Sequence, residues 1–335
     1  MTVPAPYEGE PVWIDVDDPT TAGGVRRAGV GLATEAGLSP KTVGNLAIVA
    51  TELATNLARH ADRGTVMMRV RRGGDRLGFE IIATDRGPGM MDVIDSIRDG
   101  VSTADTLGIG LGAVARMADE LHAYSRPGSG TVIAATLWDG SAPPRAWVTG
   151  ALRPVAGEHV CGDGYAARTD DGRRQVMVCD GLGHGPIAAL AANSVTSEFI
   201  AAPLGDPATI LERLHQRTRH TRGSVVAVAE LDVADGVVRY AGIGNISSTI
   251  VSGGQRRAMV SLPGIVGQLR RDIREFTYPL VAGDLVIMHS DGLTDRWDLS
   301  AYPDLAGQAP VLIAATLLRD HAKRRDDASV VVARA

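Results

Sequence analysis

Lysine and cysteine are nearly missing from this chain of 335 residues: the lysines are Lys41 and Lys323, the cysteines Cys161 and Cys179. Two thiols cannot supply a disulfide framework or a four-thiolate zinc site, and a chain this long buries a core without such staples. A basic excess is missing too. Lys and Arg number 34 against 39 Asp and Glu, a formal net charge of −5, which offers nothing to match a nucleic-acid backbone or an anionic membrane. Nowhere do about 18 uncharged apolar residues run together. The opening MTVPAPYEGEPVW also lacks the basic stretch followed by an apolar one that marks a secretory leader. There is no G-x-x-x-x-G-K-[ST] phosphate loop, no repeat of roughly 20 to 50 residues and no low-complexity tract. The expectation is a soluble, cytoplasmic protein that meets neither nucleic acid nor membrane.

What is present fits two domains, since 335 residues at 44% apolar exceed the usual size of one core. Residues 1–140 carry 13 basic and 18 acidic side chains, residues 141–335 carry 21 of each. Between them DGSAPPRA, residues 139–146, breaks any periodicity, and the boundary is placed there, giving domains 1–140 and 141–335. In the first, KTVGNLAIVATELATNLARHA has helical spacing after a Ser-Pro start. PVWIDV, TVMMRVRR, LGFEIIATD and TVIAATLW read as strands, with a helix near 110–118. In the second, RAWVTGAL, RQVMVCD, SVVAVAELD, GVVRYAGI, SSTIVSG, LVIMHSD and SVVVARA read as strands, with helices near 185–200, 207–219 and 309–323. Sheet packed on sheet with helices outside is the architecture this suggests.

Glu52 and Asn56 are four apart on the long helix and so share a face, with His60 a turn further on. A helical Asn offers a neutral oxygen to a magnesium ion shared with phosphates, and a carboxylate one turn away suits accepting a proton from an attacking hydroxyl or orienting it. After a strand comes DRGPGM, in which Asp85 is suited to an adenine amino group and Gly87 and Gly89 allow close backbone approach. LGIGLGAVARMAD then places Gly108, Gly110 and Gly112 before a helix whose free N–H groups favour phosphate. His60 reads as structural, either packed on the helix face or in solvent, and Arg59 as a candidate phosphate contact.

In this order ATELATNLARHA, DRGPGM and TLGIGLGAVARMADELHAYSRPGSGT resemble the N, G1 and G2 boxes of GHKL-type ATP-binding domains. Within them the chain is similar to the small serine/threonine switch kinases of the RsbT type. The resemblance implies a Bergerat α/β sandwich. It makes Glu52 the catalytic carboxylate, Asn56 the magnesium ligand, Asp85 the adenine reader, and Gly87, Gly89, Gly108, Gly110 and Gly112 the nucleotide loops. No phosphoaccepting histidine helix precedes these boxes, which disfavours a histidine sensor kinase.

The second half spreads acids through CGDG (Asp163), VCDGLGHG (Asp180), HSDGLTD (Asp291) and RRDDASVVV (Asp326, Asp327), three of them beside apolar strands. Carboxylates at strand ends, with glycine bringing carbonyls near, suit hard divalent ions, and two such ions activate water for in-line phosphoryl transfer. Residues 146–335 resemble the metal-dependent PPM phosphatases of the SpoIIE type, and more narrowly the short RsbX-type phosphatases, in TRGSVVAVAELD, YAGIGNIS and SLPGIVG. The resemblance implies a PPM-type β-sandwich flanked by helices, hence an α+β chain overall. Its metals would be held by Asp163, Asp180, the Gly181 carbonyl, Asp291 and Asp326, with Asp327 the alternative for the last place and Asp180 and Asp291 central to catalysis.

His184 is read either as a phosphate contact or as a cap for the following helix, and Asn245 as orienting a loop. No basic residue stands out as a substrate clamp. Cys161 and Cys179, beside the acids, are expected to be buried thiols, with a redox bridge as the alternative.

Together the two resemblances imply a bifunctional regulator. It would bind ATP, Mg²⁺ and Mn²⁺, phosphorylate Ser or Thr of a STAS-type anti-sigma antagonist or stressosome protein, and dephosphorylate phosphoserine or phosphothreonine. A sigma factor is a further candidate partner. The alternative is an ATP-binding, non-catalytic anti-sigma or sensor domain that controls the phosphatase.

Overall fold

The computed structural model describes residues 3–4, 7–91, 93, 110–143, 146–170, 172–268 and 272–335. The chain divides into two compact units, Pro6–Arg145 and Ala146–Ala335, the latter joined by Met1–Ala5. The first strand, β1 (Val3–Pro4), therefore belongs to the C-terminal unit.

The N-terminal unit runs β2 (Tyr7–Glu8), β3 (Val12–Val16), α1 (Pro19–Glu35), α2 (Pro40–His60), β4 (Gly64–Gly73), β5 (Arg76–Thr84), α3 (Gly110–Met117), β6 (Glu120–Ser125) and β7 (Thr131–Trp138). Both long helices start on a cap followed by proline. Asp18 accepts from the amides of Thr20 and Thr21, and Ser39 from that of Thr42. Helix α1 was not expected, because its glycines blur the apolar stripe. Its buried side is small instead: Ala22, Val25, Gly29 and Ala33 lie flat, and a Cβ at Gly29 would stand 3.1 Å from Met68 Sδ.

The strands pair antiparallel in the order β2-β4-β5-β7-β6, with β3 also on β4. One face, with Val66, Met68, Phe79, Ile81, Ile133 and Ala135, packs on α2's Leu46, Val49, Ala50, Leu53 and Leu57. On the other face Glu80 accepts from Arg69 Nε and Arg71 Nη1, both at 2.8 Å. Burial pushes this carboxyl up, and the two guanidinium charges together outweigh it and hold it low.

The C-terminal unit runs β8 (Val148–Arg153), β9 (Asp163–Asp170), β10 (Arg173–Gly181), α4 (Gly185–Ala201), α5 (Pro207–Arg217), β11 (Ser224–Asp232), β12 (Val237–Ile243), β13 (Ser247–Ser252), β14 (Gln255–Ala258), β15 (Phe276–Pro279), β16 (Leu285–His289), α6 (Pro310–His321) and β17 (Ala328–Arg334). Two antiparallel sheets form, β1-β9-β10-β11-β12-β15 and β14-β13-β16-β17-β8. Val176, Val178, Ala227 and Tyr240 of the first meet Ile250, Val286, Met288 and Val331 of the second in one core. The first sheet's outer face, with Met177, Cys179, Val226 and Val228, is covered by Val195 and Phe199 of α4 and Leu211 and Leu214 of α5. Helix α6 packs on β17 and β8. The unit is thus a helix-flanked β-sandwich, and the chain as a whole is α+β.

Strand β9 was not expected, since DGYAARTD has little apolar alternation. Its Arg168 is 1% exposed and donates to the carbonyls of Phe199 at 2.7 Å and Ala202 at 2.5 Å, closing the C-terminus of α4.

Candidate functional site

Strand register brings the second-half acids to a common end of the sandwich. Asp163 opens β9 and lies directly across from Asp180, one residue from the end of β10. In the other sheet β16 stops at His289 just before Asp291, and its antiparallel neighbour β17 starts at Ala328 just after Asp326 and Asp327. Asp327 joins the two sheets, its Oδ1 accepting from Val155 N at 2.7 Å and its Oδ2 from Gly162 N at 2.9 Å. The glycines of two D-G steps are required by backbone crossings. A Cβ at Gly292 would stand 1.8 Å from Asp327 O, and one at Gly181 2.3 Å from Ala188 O.

Asp163 is 4% exposed, and neither of its carboxylate oxygens has a hydrogen-bond partner of good geometry. The hydroxyls of Ser290 and Ser329 lie near enough to favour its charged form, yet burial, the larger influence, pushes it well above the usual carboxylate range. Asp180 is raised further, first by burial and then by the charges of Asp163, Asp291, Asp326 and Asp327. Asp326 is raised by burial and by Asp291. Mutual repulsion of this kind is relieved by a cation, and the all-oxygen donor chemistry suits a hard divalent one. Among the described residues no three His, Cys, Asp or Glu side chains already surround a single ion position. The convergence is one of neighbouring strand ends, and the Lys323 ammonium only partly offsets the repulsion at Asp326.

The remaining residues sort by their contacts. Asp291 Oδ2 accepts from Asn245 Nδ2 at 2.8 Å, so Asn245 orients a candidate ligand. The Asp291 carbonyl accepts from Lys323 Nζ, a residue the sequence did not single out. Asp327 has both oxygens committed to backbone amides far along the chain, whereas Asp326 is half-buried and its carboxyl is lowered only by the adjacent Asp327 backbone and Lys323. His184 occupies the N-cap position of α4 but makes no capping bond. Its Nδ1 lies 3.1 Å from Glu158 Oε1, another residue that sequence reasoning missed. Cys161 and Cys179 are buried and free, their thiols pushed up by burial. No redox bridge forms.

In the N-terminal unit Glu52 and Asn56 lie half-buried on α2, which packs on β5 and α3. Asp85 follows β5, is 9% exposed, and accepts from Gly87 N at 2.7 Å. Glycine is demanded here by the protein's own backbone. Gly89 has φ +66°, and its Cβ would stand 1.9 Å from Arg126 O. A Cβ at Gly87 would stand 2.8 Å from His60 O, so this loop is seated on the C-terminal end of α2. Gly110 and Gly112 open α3, and among the described residues nothing stands within 4 Å of a Cβ at Gly110. Gly108 lies outside the described residues. His60 and Arg59 are exposed.

Residues 16–137 match the histidine kinase-like ATPase domain family, and residues 170–335 match the family of Stage II sporulation protein E (SpoIIE). Over 113 residues the chain is 34% identical to the serine/threonine-protein kinase RsbT of Bacillus subtilis (strain 168), covering 34% of this chain and 85% of that protein. The chain is a fusion of an RsbT-like GHKL domain with a SpoIIE-type PPM domain. The SpoIIE-type domain is 23% identical over 182 residues to the phosphoserine phosphatase RsbX of the same organism, 52% of this chain and 88% of that one. Among solved structures, one chain from a bacterial stressosome, described as a modular system adapted to control secondary messenger signalling, superposes with TM-score 0.52 at 30% identity. It covers 56% of the fusion and 98% of itself. RsbX in complex with magnesium shares the fold, with TM-score 0.50 at 22% identity over 56% of the fusion and 94% of RsbX. In the described residues of the fusion, no helix is long and apolar enough to cross a membrane.

Proposed function

We propose that the SpoIIE-type domain hydrolyses phosphoserine or phosphothreonine in a protein, and that the GHKL domain phosphorylates the same kind of residue from ATP. The observation that carries the first half is Asp163, a buried carboxylate whose oxygens have no hydrogen-bond partner of good geometry, set across a strand pair from Asp180. Divalent ions, Mg²⁺ or Mn²⁺, would be held by Asp163, Asp180, the Gly181 carbonyl, Asp291 and Asp326. Bound there, they supply an activated water and positive charge for in-line displacement. The chain's own groups do the rest. Asn245 fixes the Asp291 carboxylate, Lys323 fixes its backbone, and Asp327 pins the entry to β9 so that Asp163 keeps its place. Water is consumed, the P–O ester bond breaks, and the protein's free Ser or Thr hydroxyl and inorganic phosphate are the products.

In the GHKL domain Asp85 would accept from the adenine amino group, Asn56 would face the magnesium and phosphates, and Glu52 would take the proton of the attacking hydroxyl, with ADP leaving. The target we assign is a small STAS-type anti-sigma antagonist or a stressosome protein. Its phosphorylation state would select its partner, because phosphate adds charge at an interface. Similarity to RsbT and to a stressosome chain supports this reading.

The test pairs two assays. Purified chain with Mn²⁺ is expected to release phosphate from a phosphorylated STAS protein, and Asp180→Asn and Asp291→Asn to release none; no release by wild type would overturn the phosphatase, and full activity in excess chelator would overturn its metal dependence. With labelled ATP, wild-type chain is expected to label the STAS protein and Glu52→Ala to fail. Equal labelling by both would remove Glu52 from its role, and no labelling by either would leave an ATP-binding domain without transfer.

A further inference from the structure

A phosphate monoester carries close to two negative charges, and it must approach an end of the sandwich lined by Asp163, Asp180, Asp291, Asp326 and Asp327. Two divalent ions and the Lys323 ammonium would only just neutralise these five carboxylates, so the ester's own charge calls for a further cation supplied by the protein. Two nearby basic groups already have partners. Lys323 Nζ is bound to the Asp291 carbonyl, and His184 Nδ1 faces Glu158.

The turn between α5 and β11, TRHTRG at residues 218–223, lies against the DGLGHG loop. Leu182 N donates to Gly223 O at 3.1 Å, tying the two loops together. The turn is held from within: Thr221 Oγ1 donates to Thr218 O at 2.7 Å, Gly223 N donates to Thr221 Oγ1 at 3.1 Å, and Gln268 Nε2 donates to Thr221 O at 2.6 Å. From this fixed turn Arg222 reaches back over the DGLGHG loop. A Cβ at Gly183, three residues after Asp180, would stand 3.2 Å from Arg222 Nη1. Arg222 is exposed and, among the described residues, enters no hydrogen bond or ion pair. A planar guanidinium is always charged and matches two phosphate oxygens at once.

We infer that Arg222 is the residue that grips the phosphate of the substrate, seating the ester against the DGLGHG loop beside Asp180. This rests on the phosphatase reading given above. Arg219, on the same turn and also exposed, is not among the atoms within 4 Å of a Cβ at Gly183 and serves as the internal control.

The experiment measures steady-state hydrolysis of a phosphoserine peptide by the full chain with Mn²⁺, and titrates inorganic phosphate into the Mn²⁺-loaded chain by calorimetry. Arg222→Ala is expected to raise KM and the dissociation constant for inorganic phosphate by about tenfold to a hundredfold, with kcat and Mn²⁺ affinity little changed. Arg222→Lys is expected to recover part of the loss, and Arg219→Ala to behave as wild type. Unchanged KM and phosphate affinity in Arg222→Ala would overturn the proposal, as would an equal loss in Arg219→Ala, which would mean a diffuse field. If the wild-type chain hydrolyses nothing, the phosphatase reading fails, and the calorimetry still decides whether Arg222 holds phosphate.

Discussion

Two adjacent aspartates divide their labour before β17. Asp327 is buried, and each of its oxygens takes a backbone N–H, from Val155 and Gly162. Such bonds to a buried charge are worth about 1.5–3 kcal/mol each. Asp326, one residue earlier, is half-buried and raised by burial and by Asp291, with the adjacent Asp327 backbone opposing. Asp327→Ala is therefore expected to lose about 2–4 kcal/mol of stability in urea unfolding, since two amides are left without acceptors. Asp326→Ala is expected to unfold at or above the wild-type urea midpoint while losing Mn²⁺ binding in calorimetry. The reverse pattern would exchange the two roles. Sequence left this choice open because neighbours in a D-D pair look alike until their hydrogen-bond partners, more than 160 positions away, are known.

At the scale of elements, the helix that presents Glu52 and Asn56 is anchored by a residue from the far end of its unit. Asp139, just after β7, accepts from the amide and hydroxyl of Ser39, both at 2.7 Å, and from the hydroxyl of Thr42, at the start of α2. Burial pushes the Asp139 carboxyl up, but these hydrogen bonds outweigh it and hold it below the ordinary range. The sign follows: a carboxyl more acidic folded than unfolded adds stability above its unfolded pKa, and that stability is lost as pH falls through the folded value. Urea unfolding of Asp139→Asn is expected to show a deficit at pH 7 that narrows below about pH 4; a deficit constant across that range would argue against the carboxylate. Helix α2 was legible because its period and its Ser-Pro start are local. Helix α1 and strand β9 were not. Glycines in one, and Ala, Gly and a buried Arg168 in the other, carry no apolar alternation, and both elements are held by what packs on them.

For the whole molecule, the two candidate sites should respond to different ligands. An adenine nucleotide is expected to raise the melting temperature of wild-type chain and of Asp180→Asn, but not of Asp85→Asn. Mn²⁺ without nucleotide is expected to stabilise wild type and Asp85→Asn, but not Asp180→Asn. Scanning calorimetry of the three proteins reads both effects, and either substitution abolishing both would mean that the two sites are not separate.

By itself the sequence determined a GHKL domain followed by a PPM domain, because those families are written in short ordered motifs and in the periodicity of a few helices and strands. It also marked the acids at the ends of apolar runs. Tertiary structure alone decided which of those acids meet, that Asp327 is a brace, that Asn245 and Lys323 steady Asp291, and that Arg222 leans on Gly183. The reason is physical: period and motif are properties of neighbours along the chain, whereas these contacts arise from strand register, sheet packing and loop crossings that join positions far apart in it.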